Sequence, residues 1–395
     1  MLRVVYIFER FPSFGQTFCY REVAELVRQG ADVSVFSIRR PSGEPVQDWD
    51  PEIVSRVTYL PAEAKLVEEV TRAGRSGKLP GVVVRRLKDW GRQSDFLRLY
   101  QAAYIGLRLP SGVGRVHAHF AGMAARTAYW IREFFGIAFS FTAHANDIFA
   151  PRGFVVSLPK LLDAAAAIVT VSDFSADDLR RRFPANASKV RRVYNGVQLD
   201  RFRSGEFSSE VPLILTIGRL IEKKGFADLI SACALLRDRG LDFCCEIIGE
   251  GPLQGKLASQ IETAQLGDYV RLAGPRSQTE IVERLAAARL FVLPCTTEHD
   301  GGMDNLPTVI MEAMASWLPV VSTPLAGVPE MVQPGTTGEL VPERNPAALA
   351  EAMSGLLTDR ENAQRLGVSG RELAEEKFSI ETNVRALAEI LRLAG

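Results

Sequence analysis

Cysteine is scarce in this chain: five in 395 residues, at positions 19, 233, 244, 245 and 295. The count is odd and no pair has Cys-x-x-Cys spacing, which excludes a disulfide framework. The expectation is a reduced, cytosolic protein with ordinary buried thiols. Net charge is also missing, because 47 Lys and Arg balance 47 Asp and Glu. Nothing global therefore points to nucleic acid. No uncharged apolar run approaches the roughly 18 residues of a spanning helix. The Leu161–Val171 stretch is too short and is interrupted by Asp163. The Leu2–Phe8 stretch is broken by Arg3 and runs into charged sequence, unlike a signal peptide.

What is present is a globular composition, 47% hydrophobic and 24% charged. The length suggests two domains. Short apolar runs alternate with longer amphipathic stretches. Strands are expected at Val4–Phe8, Val33–Ile38, Val116–Ala118, Ala138–Thr142, Ala167–Val171 and Lys189–Tyr194. The pattern restarts at Leu213–Ile217, with further strands over 243–248, 269–272, 290–293 and 319–322. Helices are expected over 17–29, 224–239, 253–265, 278–287, 306–316 and 346–358, with a last one at Phe378–Leu393. Such alternation argues for an α/β protein with parallel sheets covered on both faces. The polar segment 203–211 separates two doubly wound halves. The expected division is 1–205, 206–375 and a terminal segment 376–395. Ligands of open α/β sheets bind beyond the strand C-termini, so the cleft between the halves is the expected site.

The neutral total hides an asymmetry. Residues 1–200 carry 28 Lys and Arg against 20 Asp and Glu. The first half should therefore be drawn to an anionic partner. Part of the excess lies over 71–98, where Arg72, Arg75, Lys78, Arg85, Arg86, Lys88, Arg92 and Arg98 are interleaved with apolar residues. That mixture fits an amphipathic segment on an anionic membrane, or a solvated basic helix.

Three segments carry chemistry. Gly218 and Arg219 end the first strand of the second half, and Lys223, Lys224 and Gly225 follow. Arg offers a planar fork for phosphate and Lys a compact charge, beside a helix N-terminus that favours anions. The second segment runs from Asp304 to Glu312. Its helix is expected to begin near Leu306–Pro307, where free N–H groups suit a phosphate. Glu312 lies among small apolar residues and needs a partner: ribose hydroxyls, or a nearby backbone group. The third is Phe11–Phe18, after the first strand, which lacks the Gly-x-Gly-x-x-Gly of dinucleotide sites. His117 and His119 share one face of a strand. No acidic or cysteine partner lies near them in sequence, so they are expected to be hydrogen-bonded or substrate-facing, with no metal.

Taken together, Gly218-Arg219…Lys224-Gly225, Asp304…Glu312 and Glu312-Ala-Met-Ala315 resemble glycosyltransferase family 4, the retaining enzymes of the GT-B fold. The resemblance extends to Phe141–Ile148, Asn195-Gly196-Val197, Gly249–Pro252 and Val321–Glu330, and so covers nearly the whole chain. It implies that Arg219 and Lys224 bind a donor diphosphate and that Glu312 binds the ribose. Asn305, Leu306, Pro307 and Thr308 would contact donor phosphates and sugar through their backbone. Asp304 would stand near the sugar hydroxyls, and His144 would reach the sugar from the opposite domain. Gly15, Gln16 and Thr17 would lie on the acceptor side. Asp304 stands where many members have Glu, so the donor sugar does not carry over. The variant looks more like transferases of bacterial exopolysaccharide and lipopolysaccharide assembly.

The implied activity is retaining transfer from a UDP- or GDP-type sugar to a saccharide or lipid-linked saccharide. The expected place is the cytoplasm, at the inner face of the membrane if the 71–98 segment touches it. No cofactor is expected beyond the nucleotide sugar. Two other readings are a sugar-nucleotide epimerase of the same fold and a non-catalytic subunit that binds nucleotide sugar. Turnover of donor alone would mark the first, and nucleotide binding without turnover the second.

Overall fold

The computed structural model describes residues 1–45, 47–90, 96–149, 153–205 and 211–393. Seven parallel strands form the first sheet: β1 (Arg3–Arg10), β2 (Asp32–Arg39), β3 (Val57–Tyr59), β4 (Arg115–His119), β5 (Ala138–Ala143), β6 (Ala167–Thr170) and β7 (Val190–Arg192). Their order is β3-β2-β1-β4-β5-β6-β7. The second sheet holds β8 (Leu213–Ile217), β9 (Cys244–Ile248), β10 (Val270–Gly274), β11 (Leu290–Leu293), β12 (Val320–Ser322) and β13 (Gly338–Leu340). Its order is β10-β9-β8-β11-β12-β13. These are the two doubly wound Rossmann-like units of the α/β expectation. The three-residue strands β3 and β13 have no counterpart among the expected strands. Both are edge strands and only partly buried, so they lack the continuous apolar run that marks a central strand.

β1 shows why both sheet faces are covered. Val5 and Ile7 join one core cluster, while Val4, Tyr6 and Phe8 join another on the opposite face. Helix α1 (Thr17–Arg28) buries Cys19, Val23 and Leu26 against that second cluster. α2 (Glu63–Arg75), α3 (Gly81–Trp90), α4 (Phe96–Gly106) and α5 (Met123–Phe135) follow in the first domain, with α6 (Asp173–Arg182) after β6. In the second domain, α7 (Phe226–Asp238) follows β8 and α8 (Thr308–Ala315) follows β11. The last helix, α9 (Ile380–Leu393), buries Ile380, Val384, Leu387 and Leu391 at helical spacing against the α1 side of the first domain. The chain reaches it through a close crossing at Gly196, where a β-carbon would lie 2.4 Å from the Ile380 Cα. That approach accounts for the glycine in Asn195-Gly196-Val197. The residues at 206–210, in the expected junction, lie outside the described residues.

Among the described residues, the basic segment shows no continuous outward apolar face. In α3, Val83 is fully buried and Val84 and Leu87 pack against the first-domain core. Among its described apolar side chains only Val82 is exposed, and Arg85, Arg86 and Lys88 stand outward with it. Arg98, grouped with them by sequence, is buried on α4. Arg92 lies outside the described residues.

Candidate active site

Both sheets reverse their winding between two neighbouring strands, at β1/β4 in the first domain and at β8/β11 in the second. The segments that leave those strands are far apart in sequence and adjacent in space. After β8, a tight turn at Glu222–Lys224 ends at Gly225, whose φ is +67°. A β-carbon there would sit 1.8 Å from the Pro294 carbonyl oxygen at the end of β11. This contact presses the lysines against the loop that carries Asp304.

Asp304 pairs with both lysines: Lys223 Nζ lies 3.3 Å from Oδ1, and Lys224 Nζ bonds Oδ2. Burial alone would raise the Asp304 pKa, but Lys224 and Lys223 outweigh it and hold the carboxyl below its usual range. Burial would likewise discharge Lys224, and Asp304 keeps it protonated. The structure thus joins the residue expected at the sugar with the residue expected at the diphosphate. Lys223, given no role from sequence, belongs to the same cluster. Arg219 is exposed and has no ion pair among the described residues. Gly218 packs against the Lys224 side chain, where a β-carbon would meet Cε at 3.1 Å.

The helix after Asp304 begins at Thr308, not at Leu306–Pro307. Pro307 occupies the cap position with an extended ψ of 113°. The N–H groups of the first helical turn therefore start at Thr308. Leu306 is buried in the second-domain core. Asn305 is also buried, its Oδ1 accepting from the Ser172 hydroxyl at 2.7 Å. Its Nδ2 has no hydrogen-bond partner among the described residues, leaving a donor for a ligand oxygen.

Glu312 has a partner that was not foreseen. Arg21 of α1 reaches across the cleft and places Nη2 2.6 Å from Oε1, with both side chains under 10% exposed. The carboxylate expected at the ribose is thus paired with a cation of the opposite domain.

The first domain contributes a chain of buried side chains. His119 Nε2 lies 3.0 Å from Glu22 Oε1, and His119 Nδ1 lies 3.2 Å from His144 Nε2. Tyr6 donates to the same Glu22 oxygen at 2.7 Å, and Cys19 Sγ is 3.5 Å from His119 Nδ1. Burial would lower the His119 pKa, but Cys19 and Glu22 outweigh it and raise it to about 10. Burial and the His119 charge push His144 well below its usual range. A protonated His119 donates to Glu22 and to His144 Nε2, so neutral His144 carries its proton on Nδ1. The His144 ring is bordered by Phe18 and Phe120, with ring centroids 5.1 and 4.4 Å away.

The acidic and cysteine partners missing from the sequence neighbourhood of His117 and His119 are thus supplied by α1. Glu22, His117 and His119 offer ligand atoms within 4.8 Å of one another. Both His117 nitrogens, however, are in hydrogen bonds, to Ser140 at 2.8 Å and Thr142 at 3.0 Å. A metal would have to displace them. Gly15, Gln16 and Thr17 form the turn into α1, beside Phe18. Glu44 holds that turn by accepting from Ser13 and the Phe14 N–H at 3.0 and 2.7 Å. No β-carbon contact would arise at Gly15, so open space faces it.

The two halves meet through further contacts. Lys223 Nζ lies 3.4 Å from Asn146 Oδ1, two residues from His144. The Glu330 carboxylate accepts from the Asp173 and Phe174 N–H groups at the start of α6, both at 2.9 Å. Sequence singled out Gly327-Val-Pro-Glu330 without showing this cross-domain cap.

Comparisons with known proteins agree with this arrangement. Residues 15–201 match the model described as Glycosyltransferase Family 4, and residues 198–373 match Glycosyl transferases group 1. The amylovoran biosynthesis glycosyltransferase AmsK of Erwinia amylovora is 40% identical over 422 residues, covering all of both chains. The putative colanic acid biosynthesis glycosyltransferase WcaL of Escherichia coli is 29% identical over 411 residues, covering 99% of this chain and all of the relative. Among solved structures, Anabaena HepE in complex with UDP superposes with a TM-score of 0.72 at 17% identity, covering 99% of this chain and 100% of that one. Two parallel sheets with facing switch points, one lined by lysines and the other by histidines, belong to a GT-B glycosyltransferase: the chain is a member of the glycosyltransferase family whose halves are the family 4 and group 1 domains.

Proposed function

We propose that this protein transfers a sugar, with retention of configuration, from a UDP- or GDP-type nucleotide sugar to a saccharide or lipid-linked saccharide in extracellular polysaccharide synthesis. The observation that carries the reading is the Lys223–Lys224–Asp304 cluster at the second-domain switch point, tied through Asn146 to the loop bearing His144. The names of AmsK and WcaL support the pathway class, and the UDP bound by HepE supports a nucleoside diphosphate.

A bound donor diphosphate would enter beside Arg219 and Lys224 and the N–H groups at Thr308. Asp304 would keep Lys224 charged while sharing it with the ligand. His144, with its proton on Nδ1, is a hydrogen-bond donor to a sugar oxygen. First-domain carboxylates near the cleft are engaged: Glu22 with Tyr6 and His119, Asp147 with the His144 N–H at 2.9 Å. This favours same-face substitution, in which the leaving diphosphate oxygen takes the acceptor's proton, over a covalent intermediate. Catalysis then rests on orientation and on neutralising the leaving group, with lysine and arginine in place of a metal.

No helix among the described residues is long and apolar enough to cross a membrane. Contact with an anionic inner leaflet would instead be electrostatic, through Arg85, Arg86 and Lys88 on α3. The test of the central assignment is Lys224→Ala. Turnover should fall by about a hundredfold or more while circular dichroism shows the fold retained. Near-normal turnover would sink the reading, and product formation from donor alone would favour an epimerase.

A further inference from the structure

Arg21 of α1 is only 7% exposed, and its pairing with Glu312 does not use all of its donors. Nη2 is shared between Glu312 Oε1 and the side-chain oxygen of Gln278, both in the second domain. Nη1 is buried and has no hydrogen-bond partner among the described residues. Glu312 likewise spends one carboxylate oxygen on Arg21, and its Oε2 has no partner among the described residues. A buried guanidinium N–H left unpaired is costly until something supplies an acceptor. The pair therefore offers one free donor and one free acceptor in a single narrow gap between the domains, lined also by Gln278 and Arg201.

One free donor beside one free acceptor fits a vicinal diol. Each hydroxyl both donates and accepts, so one can donate to the carboxylate while its neighbour accepts from the guanidinium. Position along α8 says which diol. Glu312 stands four residues beyond Thr308, about 6 Å along the helix axis from the first free N–H groups. In a nucleoside diphosphate the ribose follows the phosphates over a comparable span. With the phosphates at Lys224 and the start of α8, the ribose hydroxyls reach Glu312, and Arg21 meets them from the other side of the cleft.

We propose that Arg21 is a donor-recognition residue of the first domain, which with Glu312 clasps the ribose diol of the nucleotide. This rests on the sugar-transfer reading above. The gap is too narrow for a sugar as it stands, so the ribose enters with the domains parted and is gripped as they close. Ribose recognition and domain closure are then one event. The next residue of α1, Glu22, holds His119, so the helix that grips the ribose also carries the support of the buried histidines.

The test is a calorimetric titration of the full chain with UDP and GDP and with their 2′-deoxy and 3′-deoxy counterparts. Wild type should prefer the ribonucleotide over at least one deoxy form by about tenfold or more, because a site built to bond a hydroxyl rejects the analogue lacking it. Arg21→Met should weaken ribonucleotide binding and cut that preference to about threefold or less, which measures the coupling between the guanidinium and the hydroxyl. Arg21→Lys keeps a charge opposite Glu312 without the planar fork, and should lose the same preference. It decides the matter if circular dichroism shows the methionine variant unfolded. Ribo and deoxy forms weakened by the same factor, or no preference in wild type, overturns the clasp and leaves the transferase reading standing. Failure of both UDP and GDP to bind wild type overturns the two together.

Discussion

At the residue scale, the buried chain Glu22–His119–His144 makes a sharp demand on one imidazole. Kept protonated by Cys19 and Glu22, His119 donates at both nitrogens, to Glu22 and to His144. Replacing it by Gln removes one of those donors and the charge. His119→Gln should lower turnover by about tenfold to a hundredfold, with nucleoside diphosphate affinity unchanged in a titration. Equal loss of both would point to a general structural role instead. The pH dependence has a definite sign. An unfolded histidine titrates near 6.5, and His119 is raised to about 10. Its stabilising contribution is complete below about pH 6.5 and is lost as pH rises through about 10. Urea midpoints of wild type and His119→Gln should therefore converge between those values. A constant difference would contradict a charged His119. None of this was visible around His117-Ala-His119 in sequence, because Glu22 and Cys19 arrive from a helix almost a hundred residues earlier.

At the element scale, the strand ends do the positioning. The turn Glu222–Lys224 is held by Gly225 in a left-handed conformation with the Pro294 carbonyl against it. Gly225→Ala would incur the left-handed backbone cost of about 1 kcal/mol, and the clash with Pro294 would add to it. We expect a loss of about 2–3 kcal/mol in urea unfolding together with weakened diphosphate binding. A change under about 0.5 kcal/mol would show that the turn tolerates the extra carbon. The central strands were legible because they are buried on both faces and read as continuous apolar runs. The edge strands β3 and β13 were not, since half-exposed residues leave no such signature. The start of α8 was misplaced by one or two residues because proline suits both a first turn and a cap. The apolar residues of α3 were legible as apolar, but not the direction they face, which packing against the core decides.

At the scale of the whole molecule, the contacts between the domains hold the cleft in its present state. Arg21 and Glu312 form a buried pair across it, and Glu330 caps α6 from the other side. A donor ribose that uses Glu312 must share or displace Arg21. Removing one partner of a buried pair leaves the other uncompensated, at a cost of about 3–5 kcal/mol unless the site opens to water. Arg21→Met should therefore shift the nucleotide-free protein toward an open arrangement. Small-angle scattering should report a larger radius of gyration, restored toward the wild-type value by a nucleoside diphosphate. An unchanged radius in the free protein would show that other contacts set the closure.

The sequence by itself determined the two parallel sheets, the family, and the residue types at both switch points, because these depend on local periodicity and short spacings. It also marked Lys224, Asp304, Glu312 and His144 as the residues to watch. Their partners were decided only in three dimensions: Lys223 and Lys224 with Asp304, Arg21 with Glu312, and Glu22 with His119. Each pairing joins segments that leave different strands or belong to different domains. Charge pairing between such segments depends on strand order and domain closure, and neither leaves a periodic trace along the chain.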